Sequence, residues 1–250
     1  MLKSIVFILA TLAAAIVAAP TIGLFERGDT DLIKRQQRIA TQYWANDKAD
    51  LDWVSGPAGA YSVNWTNPSG GNFVVGKGYF GQGMLFNYTG TFSTTGNAYL
   101  GLYGWTTDPL VEYYVIENFG DKHNPTDNSN HTCYGTFNTD GGTYEVWMKW
   151  RVNAPSIIGT ATFPQFWSVR TKRHVGGTIN TTAHFAAWAR AGLKLGKHRD
   201  GMVIGIEGQT GQGAAAITAG VRPTTTVKET TTLVHHSERP RATNTCTRKL

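Results

Sequence analysis

The sequence is short of several things, and each shortage closes a possibility. Only two cysteines, Cys133 and Cys246, occur in the chain, so no disulfide framework holds the fold. A bridge between them would tie a mid-chain loop to the extreme C-terminus, and none is expected. The seven histidines show no metal-ligand spacing, and His235-His236 has no partner ligands nearby; no metal and no cofactor is expected. Charged residues make up 16% of the chain, and its lysines and arginines form no stripe along a helix. The net charge of +6 therefore gives no sign of a nucleic-acid partner. The one long apolar run, MLKSIVFILATLAAAIVAAP, stands at the N-terminus. Its early Lys3 and its small-residue end read as a secretory signal peptide over residues 1–19, too short and wrongly flanked to span a membrane. Residues 20–35 end in Lys34-Arg35, which reads either as a propeptide junction ahead of Gln36 or as an ordinary basic surface pair. The expectation is a secreted, extracellular monomer that meets no membrane. Sequons at Asn64, Asn87, Asn130 and Asn180 are compatible with that route.

From Val221 to Leu250 the composition turns to threonine and charge with few large apolar residues, so residues 221–250 read as a disordered tail. Residues 36–220 between these ends suffice for one domain with a substantial core. Within them, glycine and aromatics are plentiful, and short alternating segments recur: AYSVNWT, GNFVVGKGYF, MLFNYTGTF, AYLGLYGWT, GTYEVWMKWRV, TFPQFWSVR, GTIN and VIGIEG. Turn residues separate them at intervals typical of a sandwich or jelly roll. The single convincing helix runs from Thr182 to Gly192, with Thr181 or Thr182 as N-cap. Phe185 and Trp188, three apart, are expected to dock it on a sheet. Gly76-Lys-Gly78-Tyr-Phe-Gly81 matches G-x-G-x-x-G, but strand-like residues follow it where a dinucleotide site needs a helix N-terminus. Its glycines are expected to serve a turn.

One strand carries an anomaly. PLVEYYVIENFG, residues 109–120, is β-branched and aromatic, so its side chains alternate: Leu110, Glu112, Tyr114 and Ile116 on one face, Val111, Tyr113, Val115 and Glu117 on the other. Glu117 sits beside Asn-Phe-Gly and reads as a solvated strand-end acid. Glu112 lies well inside, where a charge is either held in a buried ion pair or functional. A catalytic Glu112 needs a second carboxylate. Glu145 shares its face with Trp147, Lys149 and Arg151, which suits a structural ion pair. Glu207, in the apolar strand VIGIEG, is isolated from bases, and such an acid has a raised pKa, as a general acid requires. Two carboxylates in a cleft rich in Tyr and Trp point to glycoside hydrolysis, because aromatic faces stack on sugar rings.

These residues are recognisable. PLVEYYVIE, YSVNWTNPSGGNFVVGKGY, YLGLYGWT, DGGTYEVW, RVNAPSIIGTATFPQFWSVR and HFAAWARAGLKLG, in this order from about Gln42 to Thr218, resemble the family 11 glycoside hydrolases, secreted endo-1,4-β-xylanases. The resemblance implies an all-β, single-domain β-jelly roll, two packed, curved antiparallel sheets forming a cleft, with one α-helix. It implies xylan as substrate, Glu112 as nucleophile and Glu207 as acid/base. It implies further that Tyr103 and Tyr114 bond the sugar or the nucleophile, that Trp44 stacks on a xylose of the non-reducing side, and that Arg151 and Gln165 line the cleft. Asn72 would stand beside the acid/base Glu, and Pro155, Ser156 and Ile157 belong to a hairpin "thumb" over the substrate. Two departures stand out: Gln209 and Gln212 replace an aromatic and a small polar residue of the family's second signature, with Gln209 expected on the non-reducing side. Pro164 interrupts a strand, which implies an edge or bulge. A catalytically impaired xylan-binding protein, and a β-1,4-glucanase of related fold, are the alternatives.

Overall fold

The computed structural model describes residues 38–67, 70–127, 130–198, 200–223 and Cys246. The signal-peptide and propeptide readings of residues 1–35, and most of the C-terminal tail, lie outside them. The described residues build thirteen strands and one helix: β1 Ile39–Ala45, β2 Asp50–Ser55, β3 Ala60–Asn67, β4 Phe73–Tyr79, β5 Met84–Thr94, β6 Ala98–Thr106, β7 Val111–Phe119, β8 Thr132–Thr139, β9 Gly142–Ser156, β10 Gly159–Arg170, β11 Gly177–Asn180, α1 Thr181–Arg190, β12 Met202–Gly208 and β13 Gly211–Pro223. An eight-stranded sheet has the order β1-β4-β12-β6-β7-β10-β9-β8, and a five-stranded sheet the order β11-β5-β13-β3-β2. This is the jelly roll that the alternating segments predict. Pairing is antiparallel except where β10 runs parallel to β7, a departure from the expected all-antiparallel pattern that matters for the site.

Alternation explains why two clusters form. The inward face of the large sheet sends Phe73, Val75, Leu100, Leu102, Val111, Tyr113, Val115, Ile204 and Ile206 against Tyr61, Val63, Trp65, Phe86, Tyr88 and Ile217 of the small one. Burying each such side chain stabilises by about 1.5–3 kcal/mol. The opposite face carries Tyr99, Tyr103, Trp105, Tyr114, Trp147 and Trp167, a second cluster of buried aromatics. Helix α1 docks through Trp188, fully buried against Tyr113 and Phe166, with Phe185 on Tyr113. Its N-cap is Asn180, whose side chain accepts from the Ala183 N–H, and not either threonine. Thr181 instead turns its hydroxyl inward, exchanging hydrogen bonds with the Met84 backbone. Gly192 follows at φ +79°, the left-handed stop expected of it.

Other expectations need correction. Glu117 is buried, not solvated: it accepts from the Tyr144 hydroxyl at 2.5 Å and pairs with Arg170 at 3.3 Å. The strand end is enclosed because β9 and β10 send the Tyr144 and Arg170 side chains onto it. Burial pushes the Glu117 carboxyl up to about 7, against the pull of Tyr144 and Arg170. Glu145 accepts the Trp147 indole N–H at 3.1 Å. Gly76 and Gly78 lie within β4 rather than in a turn, and a Cβ at Gly76 would stand 2.6 Å from the Ile204 carbonyl of β12. Pro164 sits beside a bulge at Ala161/Phe163. There β10 pairs with β9 alone, since its ladder with β7 begins at Gln165. Four strands carry no clear signal in the sequence: β1, β2, β8 and β13. The last, GQGAAAITAGVRP, pairs with β5 from Gly213 onward and runs past residue 220 to Pro223.

The cysteines overturn the expectation of free thiols. Cys133 on β8, the edge strand of the large sheet, is bridged to Cys246, with Cα atoms 6.2 Å apart, within disulfide range. Tying distant residues is less costly than it looks, because closure entropy grows only with the logarithm of loop length. Closing a loop across a separation of 113 residues stabilises by about 2–5 kcal/mol. Cys246→Ser, or wild type in dithiothreitol, is therefore expected to melt several degrees lower in a thermal scan. Two titratable thiols in the unreduced, unfolded protein, with no effect of reductant, would show the bridge to be absent.

Candidate active site

The site is built on the aromatic face of the large sheet, and pairing register decides who meets whom. Tyr103 of β6 lies opposite Tyr114 of β7, and the parallel ladder sets Gln165 of β10 opposite Glu112. Glu112 then receives three donors: Tyr103 Oη at 3.0 Å and Tyr114 Oη at 2.8 Å on Oε1, and Gln165 Nε2 at 2.6 Å on Oε2. Each tyrosine is itself fixed. The Trp105 indole N–H donates to Tyr103 Oη at 2.5 Å, so the tyrosine's own proton turns to the carboxylate. Tyr114 stacks on Trp167 at 3.9 Å between ring centroids and 7° between planes.

Glu207 arrives from β12, opposite Val74 of β4 on one side and Tyr99 of β6 on the other. It lines a cavity of about 270 Å³ together with Glu112, Trp44, Asn72, Tyr103 and Trp105. Tyr114, Arg151, Gln165 and the hairpin residues Pro155, Ser156 and Ile157 line the same cavity, so the structure brings together every residue that the sequence nominates. Trp44 is 40% exposed at the β1 end, one strand beyond Val74. The hairpin between β9 and β10 is held by its own bonds, Ser156 Oγ to the Gly159 carbonyl at 2.6 Å and the Ile158 N–H to Ser156 Oγ at 3.2 Å. Its tip exposes Ile157 and Ile158.

Residues 36–218 match the description Glycosyl hydrolases family 11. The chain belongs to this family. It is 44% identical over 176 residues to Endo-1,4-beta-xylanase B of Penicillium oxalicum, covering 70% of this chain and 56% of that protein. It is 44% identical over 177 residues to Ethylene-inducing xylanase 1 of Verticillium dahliae, covering 70% and 77%. A solved structure from a comparison of two major endo-1,4-β-xylanases of Trichoderma reesei superposes with a TM-score of 0.66 at 38% identity, over 72% of this chain and 97% of that one.

In this family 11 chain the two carboxyls are unequally supported. Burial raises Glu112 above its ordinary value, and the hydrogen bonds of Gln165, Tyr114 and Tyr103, with the Arg151 charge, pull it back. Glu207 is pushed up to about 8, first by burial and then by the negative charge of Glu112. Its Oε2 and the Asn72 Oδ1 are both buried acceptors without a donor, and both residues line the same cavity; a proton on Glu207 relieves such a shortage. The pair is arranged for one proton between two acids, with the proton on Glu207.

Sequence reasoning misses Tyr99 and Trp105. Alternation from Tyr103 finds them, since 99, 101, 103 and 105 share a face. A second cavity, about 340 Å³, continues beyond Glu207 and is lined by Tyr99, Lys149, Arg151, Trp167 and Gln209 but not Trp44. Gln209 therefore does not share a side with Trp44, contrary to expectation. It follows the end of β12, bonds back to Asn97 (N–H to carbonyl 2.8 Å, Asn97 Nδ2 to Oε1 3.1 Å), and so stands on the β6 side of the acid, whereas Trp44 stands on the β1 side. Gln212 lines neither cavity.

A carboxyl held near 8 in the native state but near 4.5 when unfolded keeps its proton only in the folded protein between those values, so its contribution to stability is full below about 4.5 and is lost as pH rises to about 8. Glu207→Gln, which does not titrate, is expected to melt higher than wild type at pH 8.5, with the difference shrinking toward pH 4. Equal differences at both pH values would show that Glu207 titrates normally.

Proposed function

We propose that this chain is a secreted, monomeric endo-1,4-β-xylanase that cleaves internal bonds of xylan with retention. The observation that carries the proposal is the trio of fixed donors on Glu112 beside a Glu207 whose carboxyl is pushed up to about 8 and keeps a buried oxygen without a donor. A nucleophile must be ionised and aimed, and a leaving-group acid must be protonated at the same pH. Glu112 attacks the anomeric carbon and forms a glycosyl-enzyme bond as Glu207 gives its proton to the departing oxygen. Glu207, now a carboxylate, then takes a proton from water, which displaces Glu112. Retention of this kind calls for carboxyls about 5–5.5 Å apart. Trp44 offers its exposed ring to a sugar on the side of the attacked residue, and Pro155, Ser156 and Ile157 cover the chain from above. Family membership, the xylanase names of the relatives and the cleft support this reading. Secretion rests on the N-terminal run of residues 1–19, and the Cys133–Cys246 bridge agrees with an oxidising compartment.

A catalytically impaired binder would need neither glutamate, and a glucanase would have to fit a hydroxymethyl group that xylose lacks. Reducing-sugar release on xylan against carboxymethyl cellulose separates all three: xylan alone is expected to be cleaved. Proton NMR of early product should show the β-anomer, and initial α-anomer would refute retention. Glu207→Gln should lower kcat on xylan by about 10²–10⁴-fold, with a smaller loss on an aryl xyloside whose leaving group needs no proton.

The pH profile follows from the same pair. Activity requires Glu112 ionised and Glu207 protonated, so the alkaline limb is expected near the Glu207 value of about 8 and the acid limb somewhat above the ordinary carboxylate range. Asn72→Asp would add a third acid beside the pair, and the optimum should move down as the introduced carboxyl and Glu207 come to share a proton. An unshifted profile in that variant would separate Asn72 from Glu207.

A further inference from the structure

The cavity lined by both glutamates takes the sugar under attack, because only there can one sugar meet nucleophile and acid. The second cavity is lined by Glu207 and not by Glu112. It therefore receives what departs from Glu207, the leaving part of the chain. Its charge is one-sided. Lys149 and Arg151 stand two apart on β9 and so on one face, and Lys122 joins them from the turn after β7. Among the described residues, none of the three is paired with a carboxylate. The acids on the lining are Asp127, which is exposed, and Glu207 itself; Tyr99, His123 and His131 complete its titratable groups.

Lys149 is the residue that singles out a ligand. It is half-buried, and burial together with the Arg151 charge holds its ammonium below the ordinary lysine value, against the pull of a charged Glu207. A cation partly stripped of water beside a second cation is costly unless an anion compensates it. Neutral sugar hydroxyls accept its protons without cancelling its charge. Gln209 and Asn97, bonded to each other at 3.1 Å, give the same cavity amide groups instead of a ring.

We infer that the leaving-group cavity selects xylan whose branches carry a carboxylate, a uronic acid substituent, with Lys149 as the residue that reads it. The inference rests on the xylan-cleaving function proposed above and adds a substrate preference to it. The test compares glucuronoxylan with the same polymer after its uronate carboxyls have been reduced to alcohols, so that only charge differs. Wild type is expected to favour the acidic polymer in kcat/KM by about fivefold at low salt, the scale of one partly exposed ion pair, and the preference should fade with added sodium chloride. In Lys149→Gln the ratio of the two kcat/KM values should approach one, while Lys149→Arg keeps it. The ratio cancels any general loss of activity in a variant. A wild-type ratio near one, or a preference that survives Lys149→Gln, would overturn the inference and leave the xylanase reading standing. Failure to cleave either polymer would refute that reading itself.

Discussion

Two negative charges exclude one another in one cleft, and the site depends on that exclusion. Glu112 and Glu207 line the same cavity, and the sheet supplies donors to only one of them in full. Three hydrogen bonds converge on Glu112, and Glu207 keeps an oxygen without a donor. That inequality, and not the identity of the residues, separates an anion from an acid: both are glutamates on β-strands, and their surroundings divide their roles.

Keeping the inequality requires a rigid frame. The Trp105–Tyr103–Glu112 chain of hydrogen bonds fixes which way the tyrosine proton points, and the Tyr114–Trp167 stack fixes the second hydroxyl. The third donor depends on topology, since β10 must run parallel to β7 to set Gln165 against Glu112. The far end of β7 is fastened by a second buried acid, Glu117, through Tyr144 and Arg170. One strand thus carries two buried glutamates on opposite faces, one satisfied by a cation and one by neutral donors. Only the second is left free of a tight countercharge, which is what a nucleophile needs.

Much of this is legible in the chain. Period-two alternation over residues 110–116 places Glu112 and Tyr114 together, and the three-residue spacing of Phe185 and Trp188 assigns both to packing. Local patterns fail where packing overrides them. Glu117 reads as solvated because a turn follows it, yet Tyr144 of β9 and Arg170 of β10 enclose it. β13 escapes notice because its glycines and alanines carry little strand propensity, although its ladders with β3 and β5 are complete. For Gln209 the pattern gives the right face but the wrong neighbour, because alternation assigns a face and not a position along the cleft.

Spacing within a single segment is enough to specify the class of fold, the two faces of each strand, and the pair of acids isolated in apolar strands. Other features exist only once the sheets are assembled: which donors reach which carboxyl, the Cys133–Cys246 bridge across a separation of 113 residues, and the gathering of Lys149 and Lys122 beside Glu207. Each of those depends on the register and order of strands distant in the chain, and register is set by how whole faces pack, which no local pattern encodes.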